Sequence, residues 1–181
     1  MSLQSLQLGY DKVEDRIVLL VQEGEGRQAL LLTRKLCFAL IEALGDIIHQ
    51  GGVPQGLRAA PAAQQAELMS MKHARAISQV KADQAGKAAP SVPQAPLSTR
   101  LVRQIDINGG GAERRTLLMS DAAGAAAKLS LDTAQLHWLV ERLVAHCTTA
   151  GWGASVPVPQ WLDETAMAEL ARSQSVSARV H

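Results

Sequence analysis

The side chains in this 181-residue chain that could carry chemistry are few and scattered. Its five histidines, His49, His73, His137, His146 and His181, include no H-x-x-x-H or H-E-x-x-H pair, the spacings that put two imidazoles on one helical face to hold zinc. Cys37 and Cys147 both fall in stretches of helical periodicity, and two thiols make neither a zinc knuckle nor a disulfide framework. They read as small buried apolar residues, which would approach each other if their helices ran antiparallel. Gly24-Glu25-Gly26 follows a strand-like run but lacks the third glycine and the following helix of a dinucleotide-binding turn. Gly109-Gly110-Gly111 reads as a hairpin loop, and Gly151-Trp152-Gly153-Ala154-Ser155 has the wrong spacing for a nucleophile elbow. Asp11, Glu14 and Asp15 share one turn and Glu23 and Glu25 another. Acid-base catalysis needs carboxylates whose surroundings drive their pKa values apart, and turn carboxylates are ordinarily solvated. The sequence therefore assigns no catalytic, cofactor-binding or metal-ligating residue, implies no cofactor, and points away from an enzyme.

The elements that would have to position any site are clearer. A composition with 47% hydrophobic residues supports a sizeable core, and a formal net charge of +1 provides no global field to attract nucleic acid or anionic lipid. The N-terminus lacks the pattern of a signal peptide, and the most apolar stretch, Ala29 to Ile48, is interrupted by Arg34, Lys35, Glu42 and Asp46. With the unpaired cysteines, this predicts a cytoplasmic protein that does not enter the membrane.

Alternation and apolar runs predict strands over residues 5–9, 15–22 and 27–32. A helix over 34–49 comes next, capped by Thr33 and ended by Gly51-Gly52 in the left-handed conformation. Strands over 101–107, 114–120 and 126–131 and a helix over 133–149 repeat the order, with Asp132 and Gln135 forming a capping box. Adding 99 to each number from Leu6 to Gly52 lands without a gap on Ile105 to Gly151 and matches Leu19 to Leu118, Leu30 to Leu129, Leu40 to Leu139 and Leu44 to Leu143. Glu42 and Glu141 fall on each other and read as equivalent, solvated helix-surface residues. Self-similarity of this kind marks an internal repeat.

The expected architecture is α+β: two tandem βββα units related by internal duplication, with antiparallel strands, packed helices and a pseudo-two-fold arrangement. The expected boundaries are 1–52 for the first unit, 53–99 for an inserted amphipathic helix at about 61–83 and a Pro/Ala-rich linker, 100–152 for the second unit, and 153–181 for a Trp/Pro segment, short helix and tail. Ala66, Met69, His73, Ile77 and Val80 share one face of the inserted helix.

These features are compatible with two main function classes, and behind them with an unrecognised enzyme or small-ligand binder. The leading one is a non-enzymatic protein-interaction or assembly module with an unknown protein partner. Met69, Met71 and Ile77 on the inserted helix and Trp152 and Trp161 around Val156-Pro157-Val158-Pro159 are its candidate docking residues. The other comes from the order of elements in residues 5–52 and 101–151, which resembles the PUR repeats and whirly-type single-stranded nucleic-acid-binding domains. That resemblance implies a curved sheet contacting nucleic acid, with Arg16, Arg27, Arg103, Arg114 and Arg115 as backbone contacts. The three strands read here per unit are one fewer than in those families, and the five aromatic residues are sparse for a base-stacking surface.

Overall fold

The computed structural model describes residues 6–23, 26–85, 97–109 and 114–162. Among these, β1 (Leu6–Asp11), β2 (Arg16–Glu23) and β3 (Gly26–Leu32) form an antiparallel meander. Directly opposed residues share a face, so Leu6, Leu8 and Tyr10 line up with Val21, Leu19 and Ile17, and Leu19 and Ile17 with Leu30 and Leu32, on the side buried in the core. Helix α1 (Arg34–Gly52) starts at Thr33, whose hydroxyl accepts from the Leu36 amide at 3.2 Å. It does not end on a left-handed glycine. The helix runs through Gly51 and Gly52 and stops at Val53 in extended conformation. Gly52 serves close packing instead, because a Cβ there would lie 2.5 Å from the Met69 sulfur.

Helix α2 (Ala62–Gln84) buries Met69, Ala76, Ile77 and Val80 against its own domain, as its apolar stripe predicts. Beyond α2 the chain departs from the expected linker and single strand. Leu97–Leu101 is β4, which pairs in parallel with β3 and completes a four-stranded sheet in the order β1-β2-β3-β4. The chain then changes sheets within two residues: Val102 N–H donates to the Leu31 carbonyl and Arg103 N–H to that of Ser120. Strands β5 (Gln104–Asn108), β6 (Arg114–Asp121) and β7 (Gly124–Asp132) make a second, antiparallel sheet. The β6–β7 turn places Gly124 at φ 120°, a conformation in which glycine avoids a Cβ clash.

Helix α3 (Thr133–Thr149) opens on the expected capping box and is followed by Gly151 at φ 81°, the left-handed conformation that ends a helix on glycine. It packs against β1, β7, α1 and α2, so both sheets and the three helices described feed one core. The expected tail helix, 163–173, lies outside the described residues, as do the segment 86–96 of the linker and the glycine loops at 24–25 and 110–113.

The order β1-β2-β3-α1 followed by β5-β6-β7-α3 is compatible with two βββα units. A uniform offset of 99 does not hold, however. It matches buried with buried for Leu30 and Leu129, Leu32 and Leu131, and Leu40 and Leu139, but sets core Leu19 against half-buried Leu118, and half-buried Val18 against core Leu117. The ladders give the correct pairing: Leu8 opposes Leu19 as Ile107 opposes Leu117, so Leu19 corresponds to Leu117. Consecutive leucines fit either register by sequence, whereas a slip of one residue turns every side chain to the other face.

Candidate functional site

The corrected register exposes a difference between the two sheets. On the face of the first sheet turned away from the helices, Val18 lies opposite Leu31 and Leu20 opposite Ala29, with Leu101 beside Leu31. The corresponding pairs on the second sheet are Thr116 with Ser130 and Leu118 with Lys128. Thr116 and Ser130 hydroxyls bond each other at 3.1 Å, and Gln104, Asp106 and Asn108 continue that polar face. One outer face is an aliphatic patch and the other is hydrophilic. Val18, Leu20 and Leu31 stand apart from the core cluster, and Leu101 is 38% exposed.

The basic residues expected to contact nucleic acid do not converge. Arg16 and Arg27 sit near opposite ends of the first sheet's outer face, opposing Asp11 and Gln22. Arg103 lies in the passage between sheets, Arg114 is on the outer face of the second, and Arg115 is on its inner face, donating to the Gly109 carbonyl at 2.9 Å. Among the described residues no aromatic side chain stands on either outer face. Tyr10 faces inward from β1, and Phe38, Trp138, Trp152 and Trp161 lie outside the strands.

The expected docking residues are mostly committed to the core. Met69, Ile77, Trp152 and Trp161 are buried, and of the five only Met71 is exposed, at 60%. Trp152 donates Nε1–H to Asp15 Oδ1 at 3.0 Å, an oxygen that also accepts from the Tyr10 hydroxyl at 2.7 Å. Tyr10 and Phe38 pack edge-on against the Trp152 ring, and the Arg34 guanidinium lies over it. The segment from Val156 to Pro159 lies along α1, where the absence of a Cβ at Gly45 admits Pro159. Between them is an open groove of about 470 Å³ bordered by Glu42, Asp46, His49 and Trp161.

Beneath Trp161 is a polar cluster that the sequence did not reveal. His73 on α2 places Nε2 3.0 Å from Glu141 Oε2 and Nδ1 3.3 Å from His137 Nδ1. Both imidazoles pack against Trp161. Glu141 is thus not the solvated counterpart of exposed Glu42. Burial, with His73 and Lys72 adding positive charge nearby, lowers the His137 pKa to about 4. The Nδ1–Nδ1 contact needs one ring nitrogen to donate and the other to accept, so it does not hold with both imidazoles protonated. The three groups form a row rather than converging on a point, which suits a structural clamp between α2 and α3. The only advance sign was the four-residue spacing of His137 and Glu141 on one helix face. His146 also has its pKa lowered to about 4, by burial and then by Arg142.

Cys37, in the first turn of α1, lies against Cys147, in the last turn of α3, where pairing and burial push its thiol pKa up. Among the described residues no helix is long and apolar enough to cross a membrane. Comparison with family models, curated proteins and solved structures finds no match to this chain.

Proposed function

We propose that the chain is a non-enzymatic protein-interaction or assembly module, built from two related βββα units, that engages its partner through the outer face of the first sheet. The observation that carries this reading is the contrast between Val18, Leu20, Ala29 and Leu31 on that face and Thr116, Leu118, Lys128 and Ser130 at the corresponding positions of the other. The second sheet supports its helices with a hydrophilic outer face, so an apolar one is not a requirement of the architecture. Val18, Leu20 and Leu31 are half-buried on the first sheet without joining the core and Ala29 is buried, while Leu101 beside them is exposed, and contiguous apolar surface left even partly open to water is costly and marks interaction sites. The shared order of strands and helices and the corresponding core positions support common descent of the two units, with a one-residue slip in β2 relative to β6. Cytoplasmic residence remains part of this proposal, on the strength of the unpaired thiols.

Affinity capture from extract of the source cell, with wild type and an Ala29→Lys/Leu31→Ser variant, tests the reading. The expected result is a bound protein, either another chain or a second copy, that the variant loses. Equal capture by both forms would overturn it. Titration with single-stranded DNA and RNA at low and moderate salt gives the second arm: salt-sensitive binding at micromolar concentrations or tighter would favour the nucleic-acid reading instead.

A further inference from the structure

We infer that α2 is an acid-released latch: as the pH falls, this helix undocks from α3 as a unit while the two sheets, α1 and α3 stay folded. The pair of imidazoles at the α2–α3 seam carries the inference. His73 and His137 turn their Nδ1 atoms on each other at 3.3 Å, and His137, at 3% exposure, is the one buried polar residue among the described residues. Such a contact needs a donor and an acceptor. With a proton on every ring nitrogen it becomes two cations held together away from water, an arrangement that burial and like charge both disfavour.

Release is confined to α2 because little else holds this helix. Only Met69, Ala76, Ile77 and Val80 of its 23 residues are buried, against eight of the 17 in α3. It packs on α3 and more lightly on α1, and Pro61 gives its first turn no side-chain cap. Outside the histidine row, its polar ties run from Gln65 to the preceding loop at Arg58 and Ala60, and from Lys72 to the Gly52 carbonyl. Helix α3, by contrast, is seated on β1 and β7, and α1 on β2. Elements with few buried contacts open at a lower free energy than the body they lie on.

The groups around His137 set the direction. His73 and Lys72 bring positive charge from α2, and Glu141, four residues further along α3, is engaged by His73 at 3.0 Å. The segment that carries Trp161 contributes no ionisable side chain among its described residues, and α1 brings Glu42, Asp46 and His49 to the groove that Trp161 also borders. A proton on His137 therefore meets positive charge, while Glu141 is already occupied. Undocking carries His73 and Lys72 away and admits water, so the open form takes up the proton that the docked form refuses. With the His137 pKa at about 4 when docked and at its ordinary 6.5 when open, docking is fully supported above about pH 6.5 and loses that support as the pH falls towards 4.

Hydrogen exchange of the full chain at about pH 7.5 and about pH 5, read by peptide and corrected for intrinsic rates, is the test. Peptides within Ala62–Gln84 are expected to lose protection about 30-fold between the two, the shift that His137 alone supplies, while those of β2 and α3 keep theirs. His137→Phe and His137→Gln, neither of which can take up the proton, are expected to abolish that fall. The phenyl ring gives up the polar contact and the amide retains one, so the two together separate titration from packing. Met69→Ala, which thins the apolar seam, is expected to lower α2 protection at both pH values and confirms that exchange reads docking. Unchanged α2 protection in the wild type at about pH 5, a loss shared equally by β2 and α3, or a fall that persists in both His137 variants, overturns the inference.

Discussion

The Nδ1 atoms of His73 and His137 face each other at 3.3 Å, with Glu141 on the far side of His73, so one helix is docked on another through a row of groups that tolerates limited protonation. His137 has its pKa lowered to about 4 from an ordinary 6.5, so the unfolded chain takes up this proton first as the pH falls. The associated stability is complete above about pH 6.5 and is lost as the pH drops towards 4, by up to about 3 kcal/mol. His146, lowered to about 4 as well, adds to the same slope. Urea unfolding at intervals across this window is expected to show stability falling with acid, and His137→Phe to flatten the curve by about one proton. An unchanged slope in that variant would place the titration elsewhere.

Gly51 and Gly52 are neighbours at the end of α1 with opposite expected responses to a methyl group. A Cβ on Gly51 meets nothing within 4 Å, whereas one on Gly52 meets Met69, which is fully buried. Gly51→Ala is expected to be neutral or to stabilise by up to about 1 kcal/mol. Gly52→Ala should destabilise by about 1–3 kcal/mol, since the crowded Met69 side chain must shift within a filled core. Thermal melts of the two variants, measured together, decide this.

Asp15 joins the β1–β2 turn to Trp152 and holds φ 50°, a left-handed conformation that Asp and Asn adopt more readily than most residues. Asp15→Ala removes the acceptor from a buried indole N–H and is expected to cost about 2 kcal/mol. Asp15→Asn retains an acceptor oxygen and should lose less. Equilibrium unfolding gives the comparison, and tryptophan fluorescence is expected to respond more strongly in the alanine variant.

Cys37 and Cys147 have no solvent exposure, and the Cys37 thiol is held in its protonated form by its neighbour and by burial. Because the thiolate is the reactive species, the native chain is expected to resist Ellman's reagent at about pH 8, where an ordinary exposed thiol is substantially ionised. Both thiols should then react promptly in denaturant. Rapid reaction of the native form would show that the α1–α3 contact opens readily.

Local patterns carried most of the fold. The six strands of the two meanders and the three helices are read from period two, period 3.6 and caps at Thr33 and Asp132. Strand β4 was not, because its five residues come after Pro96 and gain their strand character from a parallel partner distant in the chain. The outward direction of Val18 and Leu20 was equally hidden within the run from Ile17 to Val21, where every position is apolar. The apolar patch therefore became visible only once the ladders placed those side chains. The histidine clamp draws on α2 and α3, and no local pattern connects His73 to Glu141.

The parallel pairing of β3 with β4 also orders events in time. β3 ends at Leu32, but the strand that covers its open edge begins at Leu97. During synthesis the first sheet must wait with three strands and an unsatisfied edge while two helices and a linker emerge. Loop closure over such a distance is slow, and an uncovered edge invites association with other chains. The strand that closes the edge leads directly into β5, so completing the first sheet also delivers the start of the second. Folding of the two halves is therefore expected to be sequential, and truncation just before Leu97 is expected to leave an aggregation-prone chain rather than an independent first half.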